Sequence, residues 1–231
     1  MRYWTLLEIK TKIENDLDLI GEDFIESDVE LVGLINEAID NVEVEVHGIN
    51  EDYFLKRGTI TLVSGTDEYD LPSDIYGNKI RSIIYRNGNV VREIKRVKNS
   101  RKLLSYHEGL ISSSSVNGDY EYIIVNETAG SPQIIFIPPV QESGAYVTVW
   151  YIRNANRLAN DSDVLDIPEA ANFVIQDVKV RCYEKEGHPN LPKAVMDLET
   201  QKQKVIDSLT NAVPDNDNIL EADTSFYDEM T

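Results

Sequence analysis

The sequence predicts an α+β fold: helices toward both ends of the chain and, inserted between them, an antiparallel β-sandwich or barrel. Three observations carry this prediction. Apolar residues recur at helical spacing up to about residue 48 and again beyond residue 168, whereas the stretch between reads as strands. A proline phrase occurs twice, as Tyr69-Asp70-Leu71-Pro72 and as Leu165-Asp166-Ile167-Pro168. Proline fixes φ, lacks a backbone donor and holds the preceding residue extended, so each phrase reads as a seam between helical and strand regions. Charge is partitioned too: residues 1–56 hold 15 acids and 4 bases, 57–153 hold 10 and 11, and 154–231 hold 16 and 7. The expected domains are an N-terminal helical hairpin (1–56), an inserted β-domain (57–153), C-terminal helices (154–212) and an acidic tail (213–231).

Thr5-Leu6-Leu7-Glu8 has the form of a capping box, in which hydroxyl and carboxylate each serve an orphan amide. Leu6, Ile9, Ile13, Leu17 and Ile20 follow at helical spacing, and Gly21 stands where that helix would stop. Ser27-Asp28-Val29-Glu30 repeats the start signal. Leu31, Leu34, Ile35, Ala38, Ile39, Val42 and Val46 then outline a second amphipathic helix ending near Gly48. Strands are predicted over 59–63, 68–71, 79–85, 90–94, 120–125, 133–137 and 145–152, with Asn87-Gly88 as a hairpin turn. Pro138-Pro139 ends one of them abruptly, because proline cannot donate to a ladder. Trp150, on the last strand, is assigned to the core. Ser105 to Asn117, containing Ser112-Ser113-Ser114-Ser115, is too polar to pack and reads as a projecting loop. Pro168 suits a first helical turn. Val174, Val178 and Cys182 mark one face of the helix that follows, and His188-Pro189-Asn190 breaks it. Ala194, Val195, Leu198, Val205 and Leu209 give a last helix with a thin apolar stripe.

A chain of 231 residues, 42% apolar and 27% charged, can bury a substantial core as an ordinary globular protein. No run approaches the roughly 20 apolar residues of a bilayer-spanning helix, and no membrane partner is expected. Met1-Arg2-Tyr3-Trp4-Thr5 lacks the apolar core of a signal peptide. A lone cysteine, Cys182, excludes an internal disulfide and fits a reducing compartment.

Inside the neutral middle lies a basic stretch: Lys79, Arg81, Arg86, Arg92, Lys95, Arg96, Lys98, Arg101 and Lys102, opposed in sequence only by Glu93. In a molecule of net charge −19, such segregation favours an association in which the basic face of one copy meets an acidic face of another copy or partner. The same residues would suit nucleic-acid backbone without base recognition, or a solvated hairpin surface. The candidate contact residues are Arg92, Lys95, Arg96, Lys98, Arg101 and Lys102. At the other end, residues 213–231 carry Asp215, Asp217, Glu221, Asp223, Asp228 and Glu229 and no base. That composition predicts disorder in isolation. Ile219, Leu220, Phe226 and Tyr227 are apolar anchors that a merely solvating tail would not need, so they are the candidate partner-binding residues.

Signatures of catalysis are missing. His47, His107 and His188 fall in three different regions and make no zinc-ligand spacing. There is no Gly-rich phosphate loop, no Gly-x-Ser-x-Gly elbow and no Cys/His nucleophile pair. Acids are plentiful, yet a hydrolase reading finds no carboxylates that sequence can pair across a substrate. Neither enzyme activity nor a cofactor or metal is expected. Tyrosines outnumber phenylalanines, 12 to 5, and Tyr120, Tyr122, Tyr146 and Tyr151 lie on predicted strands. They support an alternative reading, a β-sandwich recognition module that binds glycan or a host surface through Tyr120, Tyr122, Tyr151 and the serine loop. Half-buried sheet positions are the plainer account of the same tyrosines.

Several phrases, taken in order, resemble the head-to-tail adaptor or connector proteins of tailed bacteriophages, especially the podovirus-type adaptor ring next to the portal. They are Asp28-Val29-Glu30-Leu31-Val32-Gly33-Leu34-Ile35-Asn36-Glu37-Ala38-Ile39, Gly65-Thr66-Asp67-Glu68-Tyr69-Asp70-Leu71-Pro72-Ser73-Asp74, Ile134-Ile135-Phe136-Ile137-Pro138-Pro139, Val147-Thr148-Val149-Trp150-Tyr151 and Leu165-Asp166-Ile167-Pro168. The resemblance implies a helical bundle built from both chain ends around an inserted β-domain, with an extended C-terminal tail that grips the portal and neighbouring subunits. It implies a structural virion protein, assembled in the host cytoplasm as a ring of about twelve copies that joins the portal to the tail. Its partners would be the portal protein, neighbouring copies and downstream tail ring or tail hub proteins, with DNA passing non-specifically through the lumen.

Overall fold

The computed structural model describes residues 2–17, 28–97, 120–128, 131–141 and 143–212, which divide between two compact units. One is discontinuous, drawing on Met1–Asn50 and Asn156–Thr231; the other is Glu51–Ala155.

The discontinuous unit is helical: α1 (Leu6–Leu17), α2 (Asp28–Ile49), a short 3₁₀ turn (Pro168–Ala170) that runs into α3 (Ala171–Glu186), and α4 (Leu191–Ala212). The capping box at α1 forms as its residues dictate. The Thr5 amide donates to Glu8 Oε2 at 3.0 Å and the Glu8 amide donates to Thr5 Oγ1 at 3.3 Å. These bonds and the Arg2 guanidinium hold the Glu8 carboxyl below its ordinary range. Ser27, part of the second start signal, lies outside the described residues. The chain just before α1 is strapped to a distant segment: Thr5 bridges Val164, the Leu6 amide reaches Asp163 O at 2.9 Å, and the Leu165 amide reaches Trp4 O at 2.9 Å. Lys10 completes the strap, with its nearly buried ammonium 2.6 Å from Asp161 and 2.9 Å from Asp28. Asn36 of α2 grips the same region by accepting from the Leu158 amide at 2.8 Å and donating to Leu158 O at 2.9 Å.

Helix α3 packs against α1, α2 and α4, and its sequence shows why. Phe173, Val174, Ile175, Val178, Val180 and Cys182 are all buried, more of the circumference than a one-faced amphipathic helix would cover. The helix ends where Gly187 takes the left-handed conformation at φ +65°, returning its amide to the last carbonyls. Polar side chains of α3 and α4 reach outward to α1 and α2: Lys179 to Asp16 at 3.2 Å, Arg181 to Glu37, Lys185 to Glu30 at 2.8 Å, and Lys202 to Glu45 at 2.7 Å. Arg157 joins Asp40 at 2.5 Å. Five of the seven bases beyond residue 153 therefore neutralise acids of the first 50 residues.

The second unit contains eight strands among the described residues: β1 (Leu55–Thr61), β2 (Glu68–Asp70), β3 (Ile75–Asn87), β4 (Val90–Glu93), β5 (Lys95–Arg96), β6 (Glu121–Thr128), β7 (Ser131–Ile137) and β8 (Tyr146–Arg153). They form two four-stranded sheets, ordered β1-β8-β3-β4 and β2-β7-β6-β5. Each sheet keeps two edges, so no closed barrel forms among the described residues. Pairing is antiparallel except between β5 and β6, which run parallel. One apolar cluster draws on both sheets: Ile83, Tyr85, Val147, Val149 and Tyr151 from the first, and Tyr122, Ile134 and Phe136 from the second, joined by Tyr120. Tyr85 and Tyr120 lie 5.6 Å apart by ring centroid, Tyr120 and Phe136 6.5 Å, and Tyr69 and Phe136 5.7 Å.

Three expectations change. The first proline phrase is no seam between helices and strands, since β1 and β2 precede it and it forms the turn from β2 to β3. There the Leu71 amide donates to Pro132 O and the Ile75 amide closes onto Pro72 O. Its Asp74 accepts from the Tyr151 hydroxyl at 2.8 Å and pairs with Lys56 at 2.7 Å, tying the turn to β8 and β1. Burial works against ionisation of that carboxyl, but these two hydrogen bonds outweigh it and leave the pKa below its ordinary value. Trp150 is the second change. On β8 the residues Val147, Val149 and Tyr151 face the shared cluster, so Trp150 points to the opposite side and is only half-buried. Third, Tyr120, Tyr122 and Tyr151 are 4%, 7% and 2% exposed and present no ring face for a glycan to stack on.

Candidate functional site

The basic stretch follows the chain through β3, β4 and β5, where it passes from one sheet to the other. Gly88 allows the hairpin between β3 and β4: it sits at φ +55° between the paired Asn87 and Val90, as the first central residue of a two-residue turn. After β4 a single residue makes the crossing. Ile94 is buried and donates its amide to Ile83 O at 2.8 Å, still on the first sheet; Lys95 and Arg96 already pair with β6 of the second. Val97 then donates to Tyr122 O at 2.8 Å.

A recess of about 500 Å³ lies at this corner. Arg81, Lys95, Arg96, Ile94, Val97 and Tyr122 line it, the last three almost wholly buried. Glu93 is the acid beside it. Burial raises the Tyr122 pKa, nearby Arg96 opposes that rise and Glu93 adds to it, so the phenol stays a neutral donor.

The cations of this stretch divide into two groups. Arg81 is the extra residue where the register of β3 shifts against β8, between the Ile80–Tyr151 and Ser82–Trp150 pairs. It pairs with Glu51 and donates to Asp52 at 2.6 Å, while Lys79 pairs with Glu51 at 2.8 Å. Hydrogen bonds from Lys79 first, then Arg81, bring the Glu51 pKa down to about 2. Lys95 and Arg96 are exposed, and among the described residues neither meets a carboxylate. Arg92 is exposed on β4, opposite Tyr85. Lys98, Arg101 and Lys102, together with the tail positions Ile219, Leu220, Phe226 and Tyr227 and the serine loop, lie outside the described residues. The structure thus collects Arg81, Lys95 and Arg96 at one recess, and it adds Tyr122, which the sequence suggested only as a strand tyrosine. The Glu51–Asp52 pair was not visible as a partner because it lies about thirty residues away in the chain.

The depressed Glu51 has a measurable consequence. A carboxyl whose folded pKa lies below its ordinary 4.5 contributes stability above that value and loses it as pH falls toward about 2. Glu51→Gln is therefore expected to flatten the fall in β-unit stability between about pH 4.5 and 2. Parallel acid-unfolding curves for the two proteins would count against this pairing.

Among the described residues, no group of three or more His, Cys, Asp or Glu side chains is placed to hold a metal, and no helix is long and apolar enough to cross a membrane. Cys182 is buried, and desolvation with the nearby Glu30 and Glu186 carboxylates pushes its thiol up to about 11, far from a reactive thiolate. His47 lies 3.4 Å from Glu43 on the same helix, and His188 stacks on Tyr183 at 4.4 Å.

The model of the SU10 adaptor protein family matches residues 4–220, nearly the whole chain and both units. The chain belongs to that family. SU10-type adaptors are phage head-to-tail adaptors, so this one has a structural role in the virion, among portal and tail components. No curated protein matches the chain. For an adaptor, the surfaces that matter are those that meet other subunits. The basic recess on the β unit is the candidate among the described residues.

Proposed function

We propose that this adaptor assembles as a closed ring of about twelve copies that joins the portal to the tail and lets DNA pass through its lumen. The match of the adaptor family over residues 4–220 is the observation that supports this most. In this reading the helices of residues 1–56 and 154–212 make a bundle, the two sheets of residues 57–153 make a sandwich, and residues 213–231 extend to grip the portal. Assembly takes place in the host cytoplasm, with downstream tail ring or hub proteins below.

Repetition is what makes such a ring hold. In a closed circle each head-to-tail contact recurs in every copy, so modest interfaces add up once the circle closes. A lumen of net negative charge would keep DNA from adhering as it passes. The test is a mass measurement of the chain mixed with purified portal rings: addition in multiples near twelve is the expected result. A chain that stays monomeric beside the portal, or adds at an unrelated number, would overturn the ring.

A further inference from the structure

We propose that the first sheet continues from copy to copy: the open edge of β4 in one copy pairs antiparallel with the open edge of β1 in the next, with Glu93 opposite Arg57 and Val91 opposite Thr59. The inference rests on the ring reading above for its neighbour. The contact itself follows from the two edges of this sheet.

Hydrogen-bond parity decides which backbone groups are open. The Leu62 amide donates to Ala145 O and the Arg153 amide to Phe54 O, so the even-numbered residues of β1 bond to β8. Arg57, Thr59 and Thr61 therefore turn their amides and carbonyls away from β8. On β4 the Ile94 amide donates to Ile83 O, so Val90 and Arg92 bond to β3 while Val91 and Glu93 turn away. These five outward residues are exposed, and among the described residues no backbone group bonds to theirs from beyond the edge. An edge of this kind is a template for a further strand. The second sheet offers less, because its edge strands β2 and β5 have only three and two residues.

Strand polarity decides the partner. The first sheet is antiparallel throughout with four strands, so its two edges, β1 and β4, run in opposite directions. A neighbour related by rotation about a ring axis thus brings its β1 antiparallel to this β4. The faces agree as well, since Arg57 and Thr59 of β1 and Val91 and Glu93 of β4 all lie on the side away from the shared cluster. Joining one edge to the opposite edge of the same sheet is the head-to-tail contact that a closed ring repeats.

Charge decides the register. Glu93 and Arg57 are both exposed, and an opposite-charge pair directly across a ladder is favourable. With these two opposed, Val90 falls opposite Ile60. Both are half-buried and already packed against the shared cluster, so its apolar layer continues across the joint. Gly58 brings no side chain against Arg92. The alternatives lack this match: β1 on β1 sets Arg57 against threonine or a second Arg57, and β4 on β4 gives Glu93 no cation on its own face. The proposed ladder exchanges about four main-chain hydrogen bonds, and closure of the circle multiplies so short a contact.

Two full-length variants, Thr59→Cys and Val91→Cys, mixed in equal amounts, assembled on portal rings and oxidised, test the contact directly. Both positions are exposed, so the fold should tolerate either change. A disulfide that joins the two variants through positions 59 and 91 is expected, because directly opposed residues bring their Cα atoms within about 5.5 Å, inside disulfide range. Links between two 59 positions or two 91 positions, or no link at all, overturn the proposal. In a second arm, Arg57→Glu is expected to raise the chain concentration needed for half-assembly about fivefold, as turning one exposed attraction into a repulsion would. Adding Glu93→Arg to it should restore wild-type assembly. Assembly unchanged by Arg57→Glu, or not restored in the double variant, overturns the pairing. Links between 59 and 91 in copies that form no ring keep the shared sheet and remove the ring; portal-bound rings without the link do the reverse.

Discussion

Phe136→Ala is expected to destabilise the β unit by about 3–5 kcal/mol, as truncating a buried aromatic side chain does when its surroundings cannot close around the gap. Phe136 is 1% exposed on β7 and lies within aromatic reach of both Tyr69 and Tyr120, and Tyr120 in turn reaches Tyr85 on the other sheet. The lost ring therefore opens a gap in the cluster that both sheets share, and the edge-to-face contact with Tyr120 adds to the loss beyond area alone. Amide hydrogen exchange read along β6 and β7 is the measurement, supported by chemical denaturation. Phe136→Leu keeps most of the volume and should cost clearly less. Exchange rates unchanged from wild type in the alanine variant would show that the shared cluster is not what holds these strands.

Val178→Asp should abolish stable folding of the helical unit. Val178 is fully buried on α3, the helix in contact with α1, α2 and α4. A carboxylate there has no partner arranged for it, and an uncompensated buried charge costs about 3–5 kcal/mol, a large share of the stability of a typical domain. Raised pH should worsen the defect and lowered pH relieve it, because only the ionised form carries the full penalty. Far-ultraviolet circular dichroism against pH reads this. A variant as helical as wild type at neutral pH would mean that α3 is less enclosed than its buried positions imply.

Local chemistry makes much of this fold legible in the sequence. Thr5 and Glu8 announce the start of α1 because a capping box is satisfied within four residues, and Asn87-Gly88 marks the hairpin because backbone sterics at a turn are local too, although the two central residues are Gly88 and Asn89, one position on. What failed was whatever depends on which side of a strand faces which neighbour. Trp150 suggests core because it is large and apolar, yet Val147, Val149 and Tyr151 occupy the core face and parity sends Trp150 to the other. The same parity buries Tyr120, Tyr122 and Tyr151, which removes the glycan-stacking reading. Leu71-Pro72 misleads for a different reason: proline dictates an extended residue before it, not what kind of element lies on either side. The two-residue β5 and its parallel pairing with β6 are too short for any periodicity to reveal. At the candidate recess, Lys95 and Arg96 were legible as charge. That Arg81 would be engaged by Glu51 and Asp52 depended on the bulge in β3, which no pattern of residues announced.

The discontinuity of the helical unit bears on the order in which the chain can acquire structure as it is synthesised. Ile9 and Ile13 of α1 and Ile35, Ala38 and Ile39 of α2 are fully or almost fully buried, and both helices pack against α3, which begins only at Ala171. The β unit ends at Ala155, before α3 is made, so its strands are synthesised while the first two helices still show their apolar faces to water. For the time needed to translate more than a hundred residues the nascent chain carries an unsatisfied, sticky beginning. Chaperone capture of the chain should therefore peak before residue 171 emerges and fall once α3 is available.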